Sequence, residues 1–298
     1  MDVPRTPSPI TLVASRLRAE EKSIIAALEA SGLEWQHVDP RRMRLSASGT
    51  GHSPGVYLMR DIAQHRAAVV AHGLAHPSRT VINSAEAIEV CANKWATALT
   101  LEAHVLPTPA TWAVTDTQEA MDLIGDVGYP VVLKPQASSW GRRVSLLTDA
   151  FAARAVLEHC EALPSPQAKL PLLQEYVPAP AGDLRVLVVG GQAVAAERRV
   201  STSPGEWRHN VARGGEVADF PLVERRDVAD LAVAAARATG ADIAGVDLLE
   251  RPGGELLVLE VNAGVEFAGL QRATGIDIAA AIVEMCRTAA SGSMTGAA

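Results

Sequence analysis

The residues best able to carry chemistry lie in two apolar runs near the end of the chain, separated by a short turn. Asp247 interrupts the first run, AGVDLLE, and Glu260 and Asn262 lie two residues apart in the second, LLVLEVN. Side chains two apart on a strand share a face, and a hairpin at the PGG turn can bring Asp247 opposite them. Two carboxylates and an amide oxygen suit Mg²⁺ that also binds phosphates. The same residues can also simply end an exposed strand, and spacing leaves both interpretations open.

Several cations occupy positions where an anion would explain them. Lys134 ends the apolar run YPVVLK, Arg185 lies in DLRVLVV, and Lys94 opens a predicted helix. A polar loop before two glycines adds three more polar side chains: Arg208, Asn210 and Arg213. Taken singly, each cation is typical of a solvated surface charge. Together they resemble the set of cations that phosphoryl transfer requires beside Mg²⁺.

A short loop between two predicted strands is a candidate anion-binding segment. It contains small residues and one glycine: Ser138, Ser139, Trp140, Gly141 and Arg142. Such residues allow backbone amides to turn toward an anion. The loop lacks the GxxxxGK[ST] pattern of a phosphate-binding loop, and no GxGxxG follows a predicted strand. An ordinary hairpin loop would have the same composition, so this signal is weak in isolation.

The order of apolar runs predicts the elements that position these residues. The first part of the chain alternates short apolar runs with helical segments, which indicates a small α/β unit with a parallel sheet. A different pattern starts near Ala85, where strands are joined by both short and helical connections. That pattern predicts α+β elements over the remainder of the chain.

Composition excludes several classes of protein. The formal net charge of −7 argues against nucleic-acid binding, which normally requires a basic surface. No uninterrupted apolar run approaches the ~20 residues of a membrane-spanning helix, and the polar, proline-rich start does not resemble a secretory signal. Three cysteines, far apart and without a CxxC pair, are typical of reduced thiols. We therefore expect a cytoplasmic protein that binds neither nucleic acid nor membrane.

Taken in order, the segments resemble the ATP-grasp superfamily, and within it the LysX/RimK-type amino-acid ligases. The resemblance spans about residues 55–290 and rests on the joint order of VINSAEAIEVCANKWAT, GYPVVLKPQASSWGRRV, LLQEYVPAPAGDLRVLVVG, RHNVARGGE, AGVDLLE and LLVLEVNAGVEF. The second and third segments look closest to the LysX type.

The resemblance implies an α/β protein with α+β elements, in the three-domain ATP-grasp fold. The nucleotide is expected between the central and C-terminal domains. The expected divisions are a mobile arm at 1–9, an N-terminal α/β domain at 10–90, a central ATP-grasp domain at 91–177, a C-terminal ATP-grasp domain at 178–290 and a disordered tail at 291–298.

The resemblance also implies an ADP-forming carboxylate–amine ligase that uses ATP and two Mg²⁺ ions, for which Mn²⁺ can substitute. The expected partner is a small acidic amino-group carrier protein, whose C-terminal glutamate is activated as an acyl phosphate and joined to an α-aminoadipate-like amino acid. A RimK-type ligase acting on a protein or peptide is the main alternative, and a non-catalytic ATP-binding regulatory module is another. By analogy, we expect a homo-oligomer, either a dimer or a tetramer.

Individual residues match the motifs of the family. The matching metal ligands are Asp247, Glu260 and Asn262, and the residues around the γ-phosphate and acyl phosphate are Arg185, Asn210 and Arg213. The nucleotide contacts are Lys94, Lys134, the ribose-side Asp183, the hinge residues Glu175, Tyr176 and Val177, and the lid Ser138, Ser139, Trp140, Gly141 and Arg142.

The expected substrate pocket departs from the family pattern. Ala263 and Gly264 follow Asn262, where LysX-type enzymes for α-aminoadipate typically have a His-Thr pair, while Glu266 and Phe267 are retained. The small pair leaves space, so we expect an amino acid that differs from α-aminoadipate, such as a larger one. Arg60 and Arg66 match arginines that could hold a carboxylate, although a pair on a helix surface explains them equally well.

Overall fold

The computed structural model describes residues 8–137, 142–203, 205–209 and 215–292, and this part of the chain contains three β-sheets. The predicted positions Ser138, Ser139, Trp140, Gly141, Asn210 and Arg213 lie outside the described residues. The mixture of parallel and antiparallel sheets with helices confirms the predicted fold class.

The N-terminal unit is a parallel sheet with helices, as the alternation of its segments predicts. Its elements are β1 (Ile10–Val13), α1 (Ala19–Ser31), β2 (Trp35–Val38), β3 (Gly55–Met59), α2 (Gln64–Leu74) and β4 (Arg79–Ile82). The strand order is β2-β1-β3-β4, and every pairing is parallel. All residues of β1 and β3 are buried, which is typical of parallel strands covered on both faces.

The central unit is built on an antiparallel sheet of four strands, in the order β5-β8-β6-β7. Its elements are α3 (Ala85–Ala92), α4 (Lys94–Ala103), β5 (Thr111–Ala113), α5 (Thr117–Val127), β6 (Val131–Lys134), β7 (Ser145–Leu147), α6 (Ala150–Ala162) and β8 (Leu172–Glu175). Helices α3 and α4 are separated at Asn93, whose side chain accepts hydrogen bonds from the first amides of α4. This cap fixes the start of the helix at Lys94.

The C-terminal unit contains the largest sheet, five antiparallel strands in the order β11-β10-β9-β12-β13. Its elements are β9 (Asp183–Val189), β10 (Gln192–Ser201), β11 (Gly215–Asp219), α7 (Arg226–Ala238), β12 (Ile243–Glu250), β13 (Leu256–Asn262), α8 (Ala268–Thr274) and α9 (Ile278–Ala290). The predicted hairpin is β12–β13. In it, Asp247 pairs with Glu260 and Gly245 pairs with Asn262.

The hydrophobic cores join these units unequally. Two apolar clusters combine side chains of the N-terminal unit with side chains of the large C-terminal sheet. A third cluster, which includes Ile124, Leu157 and Leu173, is made within the central unit. The N-terminal and C-terminal units are therefore fused by shared cores, one of which includes Ala87 of α3 and Leu101 of α4, whereas the sheet of the central unit packs around a core of its own.

Asn83 is a buried polar link between the two fused units. It follows β4 and is 2% exposed. Its Nδ2 donates to the carbonyls of Ile243 and Ala263 at 2.8 and 3.0 Å, and its Oδ1 accepts from the amide of Ile243 at 2.8 Å. These bonds fix the N-terminal unit against the strands that carry Asp247 and Glu260.

We expect Asn83→Ala to lower the free energy of unfolding by about 2–4 kcal/mol, because it leaves buried backbone groups without partners. Urea titration followed by circular dichroism measures this change. Gln118→Ala, at an exposed helix position, serves as the control and should change stability by no more than about 0.5 kcal/mol. Equal stability of the two variants would contradict the linking role of Asn83.

Candidate active site

A row of charged side chains crosses the large C-terminal sheet. Glu197 on β10 lies opposite Arg185 on β9, Arg185 lies opposite Asp247 on β12, and Asp247 lies opposite Glu260 on β13. Residues directly opposite each other in a sheet project to the same face. Four strands therefore place one line of charges on the same face of the sheet, in the order negative, positive, negative, negative.

Asp247 is the most tightly held member of the row. It is 2% exposed. Its two carboxylate oxygens accept hydrogen bonds from Nε and Nη2 of Arg185 at 2.7 and 2.8 Å. This bidentate pairing fixes the planes of the carboxylate and the guanidinium group relative to each other. Nη2 of Arg199 approaches the same carboxylate at 3.1 Å. The Asp247 side chain is thus held in one orientation by two arginines from neighbouring strands.

Arg199 connects Asp247 to the predicted ribose-side residue Asp183. Its Nε lies 2.6 Å from Oδ1 of Asp183, and all three side chains are buried. Burial alone would lower the pKa of Arg199, but the carboxylates of Asp247 and Asp183 outweigh that effect and raise it. Burial raises the pKa of Asp183, against the opposing charge of Arg199. Arg199 is a member of this network that the sequence motifs did not single out.

Glu260 lies among the predicted lysines. Nζ of Lys94 is 3.3 Å from its Oε2, and Nδ2 of Asn262 donates to its Oε1 at 3.2 Å. Burial would raise the pKa of Glu260, but Lys94, Lys134, Asn262 and Arg185 outweigh it and lower the pKa well below the usual range. Burial lowers the pKa of Lys134 to about 8, although the Glu260 carboxylate opposes that shift. Two lysines from different elements thus converge on one carboxylate.

The donor set at the hairpin fits a divalent cation. Asp247, Glu260 and Asn262 bring carboxylate and amide oxygens to one region of adjacent strands, and the hydrogen bonds of Asn262 are donated by its nitrogen. Within the described residues its amide oxygen accepts no hydrogen bond, so this oxygen is available as a ligand. These are the hard oxygen donors that Mg²⁺ selects, with room for phosphate oxygens to complete the coordination.

A cleft between the central and C-terminal units contains most of the predicted nucleotide contacts. It encloses about 830 Å³, its open mouth included, within the range of small-molecule sites. The predicted residues that line it are Lys94, Lys134, Glu175, Tyr176, Val177, Asp183, Asp247 and Glu260. Apolar side chains such as Val132 and Leu249 line the cleft together with these polar groups. The structure therefore brings these distant predicted residues to one cleft.

The hinge segment is tied to the C-terminal unit by an ion pair. Nη2 of Arg251 lies 2.6 Å from Oε1 of Glu175, at the end of β8. The following residue, Tyr176, lies edge-to-face against Trp207 with ring centroids 5.8 Å apart. Val177 is buried beside it. These contacts orient the backbone of residues 175–177 along the cleft.

Trp207 and Arg208 close one side of the cleft, and Trp207 was missed by the sequence motifs. Nη1 of Arg208 donates to the carbonyl of Val144 at 2.8 Å, which bridges the C-terminal and central units. Its guanidinium also lies over the Trp207 ring, 5.6 Å from the ring centroid. The available signal was a large aromatic residue within the otherwise polar loop GEWRHN.

A second cavity adjoins the first on the face that carries the charged row. Among its lining residues are Arg185, Glu197, Arg199, Glu260, Asn262 and Gly264, together with residues of the N-terminal unit such as Arg18 and Asp61. Among the described residues, Glu260 is the one side chain that lines both cavities. The predicted metal ligand therefore stands where the two spaces meet.

The segment after Asn262 contributes unevenly to the second cavity. Gly264 and Glu266 line it, whereas Ala263 and Phe267 are buried away from it. A Cβ added at Gly264 would meet no atom within 4 Å, so this position does leave open space. Glu266 accepts from Nη1 of Arg18 at 2.9 Å. The extra room expected here thus comes from Gly264 and not from Ala263.

The predicted N-terminal arginines are held by protein carboxylates. Arg60 follows β3 and is buried, with Nη2 at 3.1 Å from Glu21 and at 2.9 Å from the carbonyl of Val265. Arg66 on α2 pairs with Asp61 at 2.5 Å and is partly exposed. Arg60 is therefore not part of a helix-surface pair, and neither arginine lines the second cavity. Arg142 is exposed at the end of its loop.

Comparisons with known proteins identify the family. A model of the RimK-like ATP-grasp domain matches residues 91–286, and a model of the LysX preATP-grasp domain matches residues 10–90. The chain belongs to the RimK-like ATP-grasp family. The prediction made from the ordered segments is thereby confirmed, and the protein is an ATP-dependent, ADP-forming carboxylate–amine ligase.

Relatives of similar length support this assignment. The chain is 29% identical over 275 residues to a glutamate–LysW ligase ArgX of Sulfurisphaera tokodaii, covering 92% of this chain and 96% of the relative. It is 29% identical over 276 residues to an α-aminoadipate–LysW ligase LysX of Sulfolobus acidocaldarius, covering 91% and 98%. The crystal structure of a RimK domain ATP-grasp protein from Sphaerobacter thermophilus aligns with a TM-score of 0.73 at 27% identity, covering 93% of this chain and 99% of that one.

In the described part of the chain with the charged row, no helix is long and apolar enough to cross a membrane.

We expect Trp207→Ala to weaken binding of a non-hydrolysable ATP analogue about tenfold, because the cleft loses an aromatic wall and its contact with Tyr176. Isothermal titration calorimetry measures this affinity. Trp35→Phe, in β2 of the N-terminal unit, is the matched control and should bind as the wild type does. Unchanged affinity in Trp207→Ala would show that this ring does not contact the nucleotide.

Proposed function

We propose that this enzyme phosphorylates the C-terminal glutamate of a small acidic amino-group carrier protein and joins it to the amino group of an amino acid. Relatives named for ligating glutamate or α-aminoadipate to LysW support a carrier of that kind. The location of Glu260 between the nucleotide cleft and the second cavity carries the proposal. A phosphate transferred from ATP at this junction would reach a carboxylate that enters through the second cavity.

The site residues supply positioning and charge neutralisation, which dominate catalysis of phosphoryl transfer. In the proposal, Lys94 and Lys134 bind the phosphates from the cleft side. Arg185 lines the second cavity and faces the transferred phosphoryl group and the acyl phosphate. Residues 175–177 hold the base, and Asp183 lies on the ribose side. Asn210 and Arg213, matched to the same centre by the family motifs, complete the proposed set.

Asp247, Glu260 and Asn262 would hold Mg²⁺. When bound, the metal neutralises the triphosphate and orients it for in-line attack by the substrate carboxylate. Arg185 and Lys94, which pair with these carboxylates here, hold them in position. The loop 138–142 is proposed to cover the reacting groups, because the acyl phosphate hydrolyses if water enters.

The amino acid is proposed to occupy the second cavity. Open space beside Gly264 supports a substrate other than unmodified α-aminoadipate, such as a larger or differently substituted amino acid. Two Mg²⁺ ions with Mn²⁺ as a substitute, a cytoplasmic location and a dimeric or tetrameric assembly stay predictions of the family resemblance.

We expect Glu260→Gln to lower ADP formation about 100-fold or more, because it removes a charged ligand at the junction of metal, nucleotide and carboxylate. A coupled assay of ADP release in the presence of Mg²⁺, carrier and amino acid measures this rate. The matched control is Glu255→Gln, an exposed carboxylate near the β12–β13 turn, which should retain wild-type activity. Full activity in Glu260→Gln would refute the proposed site.

A substrate panel tests the proposed acceptor and carrier. The LysW protein of Sulfolobus acidocaldarius and short peptides ending in glutamate are each combined with glutamate, α-aminoadipate and larger analogues. We expect ADP formation and a mass increase of LysW by one amino-acid residue, strongest with an amino acid larger than α-aminoadipate. Mass spectrometry of the carrier measures this product.

Other outcomes of the panel decide between the alternatives. Preference for unmodified α-aminoadipate would refute the larger acceptor. Extension of the free peptides but not of LysW would favour a RimK-type ligase. ATP binding without ADP formation under every condition would favour a regulatory module.

A further inference from the structure

Glu197 is a buried carboxylate that the proposed reaction has not yet used. It lies on β10, 7% exposed, opposite Arg185 on one side and the exposed Asp219 of β11 on the other. It lines the second cavity together with Arg185 and Arg199. Its side chain therefore borders the space proposed for the amino acid and not the nucleotide cleft.

Within the described residues, the Glu197 carboxylate makes no hydrogen bond and no ion pair. The nearby arginines form ion pairs with other carboxylates, since Arg185 binds Asp247 and Arg199 binds both Asp247 and Asp183. Burial raises the pKa of Glu197, against the opposing charges of Arg199 and Arg185. Since buried polar groups are normally paired, a carboxylate that faces this cavity without a partner has hydrogen-bonding capacity left for a ligand.

The other two buried carboxylates in this cavity have partners, and one of them, Asp61, is bound by Ser15 and Arg66. Glu20 is also 7% exposed, but it accepts a hydrogen bond from the amide of Ala268 at 3.1 Å and so helps to fix the start of α8. Glu266 is bound by Arg18. Among the three glutamates that belong to this cavity alone, Glu197 is therefore the one whose hydrogen-bonding capacity is unused within the described residues.

We infer that Glu197 binds the ammonium group of the incoming amino acid, an inference that rests on the proposed ligase function. Neighbouring strands lie about 4.8 Å apart, so a group bound at Glu197 is one strand from Arg185 and two strands from Asp247. An amine held there lies beside the position proposed for the acyl phosphate. Glu197 thus binds and positions the amino group and transfers no proton.

The charges around the cavity suit an amino acid in this orientation. Arg272 of α8 lines the same cavity and is exposed, whereas Arg18 is bound by Glu21 and Glu266. A carboxylate of the amino acid is attracted to Arg272, while its ammonium group is attracted to Glu197. The two charges thus orient a zwitterion with its amine toward the charged row.

Hydroxylamine separates the binding of an ammonium group from formation of the acyl phosphate. It is neutral at neutral pH and traps an acyl phosphate as a hydroxamate without needing a site for a cation. Wild type, Glu197→Gln and Glu197→Asp are compared with carrier and amino acid for amide formation, and with carrier and hydroxylamine for hydroxamate formation. Asp219→Asn is the matched control, because Asp219 lies opposite Glu197 on β11, is exposed and does not line the cavity.

We expect Glu197→Gln to raise the KM for the amino acid about tenfold or more, as loss of a charged hydrogen bond predicts, and to leave hydroxamate formation within about twofold of wild type. Glu197→Asp should recover part of the affinity. Asp219→Asn should match wild type in both assays.

Three results would overturn the inference. A wild-type KM in Glu197→Gln would show that its carboxylate does not contact the amine. A parallel loss of amide and hydroxamate would assign Glu197 to phosphoryl transfer or to folding. Absence of both products in the wild-type enzyme would overturn the proposed function itself and the Glu197 inference with it, whereas the first two results leave the ligase function intact.

Discussion

The site depends on the pairing of Arg185 with Asp247 across two neighbouring strands. Bringing two carboxylates, Asp247 and Glu260, opposite each other on adjacent strands is unfavourable unless cations compensate for their repulsion. Arg185 binds Asp247 through two hydrogen bonds from the strand on one side, and Lys94 reaches Glu260 from the helix on the other. The sheet can therefore present two carboxylates at one place, as the binding of a metal beside a triphosphate requires.

The fold and a large part of the site were predictable because the relevant signals are local. The alternation of apolar runs predicts the parallel N-terminal sheet, and the turn between two apolar runs predicts the β12–β13 hairpin. Because side-chain direction alternates along a strand, that hairpin was sufficient to place Asp247 with Glu260. Lys134 was identifiable as a charge at the end of a buried strand. Each of these inferences needs only a few neighbouring residues.

Other features depend on contacts between segments that are far apart in sequence. Glu197 and Arg199 read as an ordinary charged stretch in QAVAAERRV, and only the register of β10 against β9 places them in the row and its network. Trp207 contacts Tyr176, which lies 31 positions earlier in the sequence. The spacing of apolar residues along the chain does not predict a contact of this kind. Arg60 matched the family pattern, yet burial beside Glu21 determines what it can contact. Sequence patterns predict which element a residue belongs to and which face of that element it occupies, whereas tertiary packing determines which side chains it contacts.

The distribution of hydrophobic cores gives the two cavities different supports. The described residues that line the second cavity come from the fused N-terminal and C-terminal units, while the first cleft has the sheet of the central unit, with its own core, as one wall. The walls of the second cavity therefore keep their relative positions through the shared cores, whereas the width of the cleft also depends on how the central sheet sits against the other units.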